Sequence, residues 1–411
     1  MSREEIEQVE KELDEVLEIV QRPVPVKNTG REETVSLQEN LQENDPLQEE
    51  MQIETEKEEK EDSPESAAKE QTAVSEEELD LEDDIENGYF HFLRPSDGLI
   101  AAFFVPVAVL IILFAQRGIF PFGEECFLRT DMYHQYAPFF SEFQYKLKQG
   151  GSLLYSWDIG MGVNFSALYA YYLASPVNWL IILCPKKFII EFMTILIMVK
   201  TGLCGVTFTW YLDHHFEKKH FVAGVFGIFY ALSGYMAAYS WNIMWLDCIF
   251  LLPLILYGLE QLVQEKKGLF YCVTLGLSIL SNYYISIMIC IFMVMYVIVQ
   301  VILYPPKKIK DLVATGVRFG FYSLLAGGLA AVVLLPEIYA LQATASGDFD
   351  FPKTISCYFS IFDMIARHIG NVGTEIGLDH WPNIYCGVAV LMFLLLYLGA
   401  KKITVREKAV Y

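Results

Sequence analysis

GLFYCVTLGLSILSNYYISIMICIFMVMYVIVQVIL occupies residues 268–303, 36 positions without one charged side chain. As a single α-helix it would be about 54 Å long, nearly twice the thickness of a bilayer's hydrocarbon core. The polar Ser281-Asn282-Tyr283-Tyr284 in its middle therefore reads as a break between two helices, 268–281 and 283–303. Working outward, further apolar runs cover 98–116, 188–211, 221–240, 245–262, 316–338 and 384–400. Eight spans make an all-α polytopic membrane protein.

Charge is segregated in the same way. The chain has 411 residues, 54% hydrophobic, and a formal charge of −21. Residues 1–90 hold 31 Asp and Glu against 8 Lys and Arg, which leaves 20 acids and 22 bases for 91–411. An acidic tail precedes a nearly neutral membrane domain. A soluble globular enzyme is excluded, and without a dominant basic patch so is a nucleic-acid binder.

In the tail, Ile6, Val9, Leu13, Val16 and Val20 form an a/d seam on a short amphipathic helix within residues 1–22, closed by Pro23. Fewer than three heptads are marginal alone, so this is a weak docking or self-association element for a protein partner. Residues 23–90 carry too little apolar surface to offset chain entropy and read as disordered. The polar opening has no signal-peptide pattern. Eight cysteines show no CxxC pairing and the seven histidines no HExxH spacing; only Cys357 and Cys386 share a loop in which a disulfide is conceivable.

The positive-inside rule orients the spans. With both termini cytoplasmic, the lysine clusters at 218–219, 266–267, 307–310 and 401–402 fall on the inner side. Lys186 and Lys187 are the exception, and they follow an apolar run, 168–183, broken by Ser175 and Pro176. That run reads as interfacial rather than spanning. Loops 117–187 and 339–383 are then outside the cell membrane.

Loop 117–187 holds the candidate chemistry. Asp131 lies in Arg129-Thr130-Asp131-Met132-Tyr133-His134-Gln135-Tyr136-Ala137-Pro138, a turn after which Pro138 suits the start of a helix. Phe139, Phe140, Phe143 and Leu147 share one face of that helix, predicting an amphipathic juxtamembrane helix in the membrane interface. A glycine-rich bend with Trp157, Gly160, Gly162 and Asn164 follows, then Tyr171 and Tyr172.

These motifs carry a resemblance. Asp131-x-Tyr133-x-Gln135-Tyr136, Tyr155-Ser156-Trp157, Gly160-x-Gly162-x-Asn164 and Tyr171-Tyr172-Leu173-x-Ser175-Pro176 resemble the bacterial YfhO family. So do Trp245-Leu246-Asp247 and Ser281-Asn282-Tyr283-Tyr284. The resemblance covers 90–411 and implies a GT-C-like bundle that moves a sugar from a polyprenyl-phosphate carrier to an extracytoplasmic acceptor, such as teichoic acid of the cell wall. Family members usually run longer, so it also implies a truncated or split member. It makes Asp131 the catalytic carboxylate, the essential acid of the first outer loop.

The chemistry such a transfer needs is a base for the acceptor hydroxyl and cations on the departing phosphate. Asp131 fits the base, or else caps the turn; Asp247 is a second catalytic or metal-binding acid, or a favourable charge at a helix start. Arg129, Lys146, Lys148, Arg367 and His380 are candidates for phosphate. His134, Gln135, Tyr136, Trp157, Asn164, Tyr171, Tyr172, Asn282 and Tyr283 are candidates for sugar or lipid, against plain interfacial or hairpin roles. Lys200, near the middle of its span, is either paired with an acid, in a groove for lipid phosphate, or snorkelling. Glu337 reads as interfacial. A divalent metal is left open, since two distant acids are thin grounds for one. A transporter or flippase, or a non-catalytic scaffold, are the alternatives; the polar residues' concentration on one face favours an enzyme.

Overall fold

The computed structural model describes residues 94, 96–217, 221–343, 359–369, 373–374, 376 and 382–410. The tail helix, the acidic 23–90 segment, Cys357 and His380 lie outside the described residues.

The membrane domain is helical. Helix α1 (Asp97–Gln116) leads into a loop, then a π-turn Met132–Tyr136 that runs directly into α2 (Ala137–Gln149). A two-residue hairpin, β1 (Tyr155–Ser156) and β2 (Val163–Asn164), is antiparallel with Tyr155 opposite Asn164. Helix α3 (Phe165–Leu168) continues as a π-turn Tyr169–Leu173, and a 3-10 segment Pro176–Leu183 follows. Next come α4 (Ile189–His215), α5 (Phe221–Ala231), α6 (Gly234–Tyr239), α7 (Leu246–Gln264), α8 (Leu269–Ser281) and α9 (Tyr283–Leu303). The chain closes with α10 (Ile309–Leu329), α11 (Ala331–Leu341), α12 (Ile361–Ala366), α13 (Val388–Gly399) and α14 (Val405–Val410).

Six of these stretches are long and apolar enough to cross a bilayer: Asp97–Gln116, Lys186–His215, Phe221–Tyr239, Leu246–Gln264, Tyr283–Leu303 and Ile309–Leu329. A bent pair, Phe165–Leu173 and Pro176–Leu183, meets at 102° and makes a seventh if it counts as one span. The spans expected at 268–281 and 384–400 are the shorter apolar helices α8 and α13, of 13 and 12 residues, about 20 Å each; α8 runs back from the lysines that follow α7 to Asn282, which bonds the Tyr171 carbonyl. The seventh expected span is also displaced: helix begins at Ile309 and is interrupted at Ala330. The break inside 268–303 falls at Asn282, whose Oδ1 accepts the backbone N–H of Ile285 and caps α9.

Small residues bring α1, α4 and α5 close together. A Cβ on Gly205 would lie 2.1 Å from the carbonyl oxygen of Ala102, and one on Gly224 would lie 2.5 Å from that of Gly98. Membrane helices gain little from apolar burial against one another and rely on such close van der Waals approach. Gly205→Val should therefore separate α4 from α1 and cost about 1–3 kcal/mol as overpacking, read as a lowered Tm in detergent; an unchanged Tm would mean that the approach contributes nothing.

The amphipathic helix α2 is present, but its apolar face meets protein. Phe140 and Phe143 are buried in the core with Phe165, Leu173, Ile181, Met193 and Ile197. Its polar side is occupied too: Gln144 donates to the carbonyls of Ile181 and Cys184, and Lys146 pairs with Glu142 at 3.4 Å. The helix packs between the bent pair and α4.

At the far end of α4 and α7, Glu260 accepts hydrogen bonds from Tyr211 and Tyr296 and meets His215 at 2.9 Å. The lysines at 266–267 follow α7 on that side, and α9 runs from Tyr283 at the Asp131 end to Leu303, just before Lys307 and Lys308.

Candidate functional site

Asp131 stands immediately before the π-turn with no side-chain capping bond, and its carboxylate is exposed. The capping alternative therefore falls away. Along the π-turn, His134 is exposed and edge-on to Tyr133, and Gln135 accepts a hydrogen bond from the Tyr172 hydroxyl at 2.9 Å. Tyr136 is 3% exposed and donates to Asn242 Oδ1 at 2.8 Å. Burial, and then the negative charge of Asp131, hold the Tyr136 phenol well above its ordinary pKa.

Aromatic rings extend from this point. Trp241 stacks on Tyr136 at 6.1 Å; Tyr136 meets Tyr172 at 5.6 Å, Tyr172 meets Tyr171 at 4.6 Å, and Tyr171 meets Tyr283 at 5.9 Å. The π-turn, the bent pair, the turn before α7 and the start of α9 each contribute, so the run exists only in the fold.

Beside it lies a cavity of about 820 Å³. Its wall includes Val109, Leu110, Leu113 and Phe114 from α1 and Met236 and Trp241 from the α6 side. Three exposed charged residues complete it: Arg117, Glu125 and Arg129, the last only two positions before Asp131. Among the described residues, neither guanidinium has an acid within ion-pair distance. Leu113 is itself exposed, so the apolar wall reaches a flank of α1 that no helix among the described residues covers.

Other sequence candidates are committed elsewhere. Asp247, in the first turn of α7, is 1% exposed; Oδ2 lies 2.5 Å from Lys200 Nζ, and Oδ1 accepts from Ser175 Oγ at 2.7 Å. Lys200 also donates to the carbonyl of Ile243. Each Asp247 oxygen thus already accepts a bond from the buried interior, and Lys200 is paired with an acid, the first of the three readings its sequence position offered. Among the described residues no group of three or more His, Cys, Asp or Glu is placed to hold a metal.

Lys146 is likewise withdrawn from phosphate: buried, it donates to the Tyr155 carbonyl and lies over the Phe165 ring. Lys148 donates to the Cys184 carbonyl, and Arg367 to Pro382 and Asn383. Asn164 caps α3, and Asn282, fully buried, caps α9 while donating to the Tyr171 carbonyl. Trp157 is 76% exposed on the hairpin, edge-on to Tyr155. Glu337, read as interfacial, is 5% exposed and accepts a 2.6 Å hydrogen bond from Tyr283.

Of the sequence candidates, then, Asp131, Arg129, His134, Gln135, Tyr136, Tyr171, Tyr172 and Tyr283 share one end of the bundle. Arg117, Trp241 and Asn242 are not candidates by sequence; Ser175 enters there only in a span break and a motif, and Glu337 only as an interfacial acid. Arg117 reads in sequence as the charge that ends a span, and nothing local to it marks a cavity.

The fold and the site define a multi-pass helical membrane protein with an exposed carboxylate beside a cation-bearing, largely apolar cavity. A family model described as "Bacterial membrane protein YfhO" matches residues 101–411, and the chain belongs to that family. Comparison with curated proteins and with solved structures returns no match.

Proposed function

We propose that this protein is a membrane glycosyltransferase that takes a sugar from a polyprenyl-phosphate carrier and passes it to an acceptor hydroxyl on the extracytoplasmic side. The observation that carries the reading is the pair of guanidiniums, Arg117 and Arg129, without acid partners among the described residues, on an apolar-walled cavity next to Asp131. An amphiphile with an anionic head and a hydrocarbon tail has that pattern in reverse. Guanidinium recognises phosphate oxygens through charge-assisted, often bidentate hydrogen bonds. The apolar wall runs along α1 from Val109 to Phe114, about 8 Å, and each methylene of a lipid chain adds about 0.8 kcal/mol on burial. Glu125, in the same lining, biases the cavity against a bare polyanion.

In this reading Asp131 takes the proton of the acceptor hydroxyl as its oxygen attacks the sugar's anomeric carbon. The bond from that carbon to the carrier phosphate breaks, and the phosphate leaves with its electron pair, held by Arg117 and Arg129. Lysines following α7, α9 and α13 support a cytoplasmic location for the opposite end of the bundle by the positive-inside rule, and with it an outward-facing Asp131. A cell-wall polymer such as teichoic acid is the acceptor that the family resemblance suggests. Among the described residues Lys200, midway along α4, is neutralised by Asp247, rather than belonging to the gathering of ionisable groups expected of a transporter.

The full chain in proteoliposomes, supplied with a polyprenyl-phosphate sugar, should release polyprenyl phosphate in step with sugar transfer. Arg117→Ala/Arg129→Ala should raise the KM for the lipid donor tenfold to a hundredfold, since two exposed charge-assisted contacts are together worth about 1.5–3 kcal/mol. An unchanged donor KM would remove the cavity from the reaction.

A further inference from the structure

Lys186 and Lys187 break the pattern that the other lysine clusters keep. They open the span that ends at His215, and His215 meets Glu260 beside the lysines that follow α7. The two therefore stand at the opposite end of the bundle from those clusters. Lys148, the last cation of α2, joins them there: its Nζ donates to the carbonyl of Cys184, two residues before Lys186. All three lysines are exposed. Among the described residues none of them has an acid within ion-pair distance, Glu124, Glu125 and Glu191 included.

The segment that leads to this turn is apolar on its outward sides. A 3-10 helix has three residues per turn, so positions three apart share a face. In Pro176–Leu183, Asn178 and Ile181 form one face and are fully buried. Trp179 and Ile182 form the second face, Leu180 and Leu183 the third, and all four are exposed. Beyond the turn, Lys187 Nζ lies 4.7 Å over the Phe188 ring, and Phe188 meets the exposed Phe120. In a membrane protein, contiguous large apolar side chains with no protein over them face hydrocarbon. Cations at the end of such a row are held at headgroup level, where lipid phosphates are the groups that can pair with them.

We propose that Lys148, Lys186 and Lys187 form a binding surface for an anionic glycerophospholipid, with its phosphate on the three ammonium groups and its acyl chains along Trp179–Leu183. A zwitterionic lipid brings its own cation to the headgroup and matches the lysines less well. A soluble polyanion matches their charge but leaves the four apolar side chains without a partner. None of these residues lines the cavity that holds Arg117 and Arg129, and the proposal does not depend on the transferase reading.

The experiment is lipid binding to the full chain in detergent, followed by quenching of tryptophan fluorescence with brominated phosphatidylglycerol or brominated phosphatidylcholine. Each lysine at an anionic lipid surface is worth about a fivefold gain, so phosphatidylglycerol should bind at least about tenfold more tightly. Lys148→Gln/Lys186→Gln/Lys187→Gln should bring the ratio close to one, with Tm unchanged because all three side chains are exposed. Raising sodium chloride from about 50 mM to about 500 mM should do the same to the parent protein. The quenching specific to phosphatidylglycerol should vanish in Trp179→Phe and persist in Arg117→Ala/Arg129→Ala. Equal binding of the two lipids, or a preference that survives loss of the three lysines, overturns the proposal. So does a preference lost only in the arginine variant, which would put the lipid in the cavity. Displacement of the brominated lipid by a water-soluble glycerol-phosphate oligomer at equal phosphate concentration would make the surface a polyanion site instead.

Discussion

Asp131→Asn is expected to abolish sugar transfer while leaving the protein folded and inserted. General-base catalysis contributes about 10²- to 10⁴-fold, so kcat should fall at least a hundredfold. The donor KM should barely move, because the cations that hold phosphate are untouched. No loss of stability should accompany the effect: the carboxylate is exposed and makes no capping bond, and substitutions at such positions stay within about 0.5 kcal/mol. The measurement is transfer in proteoliposomes beside a melting curve of the same preparation. Full transfer by the asparagine variant would remove Asp131 from the mechanism. A collapse in Tm would instead make it a structural residue.

The second large effect is expected at the centre of the bundle, where Lys200→Met and Asp247→Leu should each destabilise the protein and the combined variant should recover. Lys200 and Asp247 are both within 2% of full burial and 2.5 Å apart. Removing one partner strands the other's charge in a medium that cannot solvate it, at a cost of about 3–5 kcal/mol. For a domain of this size that is a fall in Tm of roughly 10 °C. Removing both takes away two desolvation penalties together with their attraction, so the double variant should lie within about 1 kcal/mol of the parent or above it. The pair's other partner shows why it matters to the site. Ser175, bonded to Asp247, sits at the 102° break of the segment that carries Tyr171 and Tyr172. Single variants that melt like the parent would show that the pair holds nothing in place.

Much of this protein is legible from its residues. Long uncharged runs announce membrane helices because a bilayer offers no water to unpaired backbone groups, and the interruption at Asn282 is visible as a polar island in an apolar stretch. Membership of the YfhO family is visible too, in motifs scattered from Asp131 to Tyr284. Asp131 stands out by position. Other readings erred in one direction, by assigning polar side chains to solvent or ligand when the fold gives them protein partners. Lys146 reads as a surface cation, yet it is buried and donates to Tyr155 across a turn; Asp247 stands at a helix start as its position suggests, but buried and paired with Lys200, 47 positions away. The phenylalanine face of α2 looked made for lipid and meets Phe165 and Ile181 instead. Periodicity reports which face is apolar, but not what will cover it.

By itself the sequence determined the class, the acidic tail set apart from a neutral membrane body, most of the spans and the prominence of Asp131. All of these follow from local hydropathy, charge and spacing. Tertiary structure alone decided that Arg117 and Arg129 share a cavity, that Lys200 neutralises Asp247, and that Glu337 turns inward beneath Tyr283. The physical reason is that a charge in a low-dielectric interior must find its counterpart in space, and the counterparts here lie on different helices, at separations that no pattern along the chain encodes.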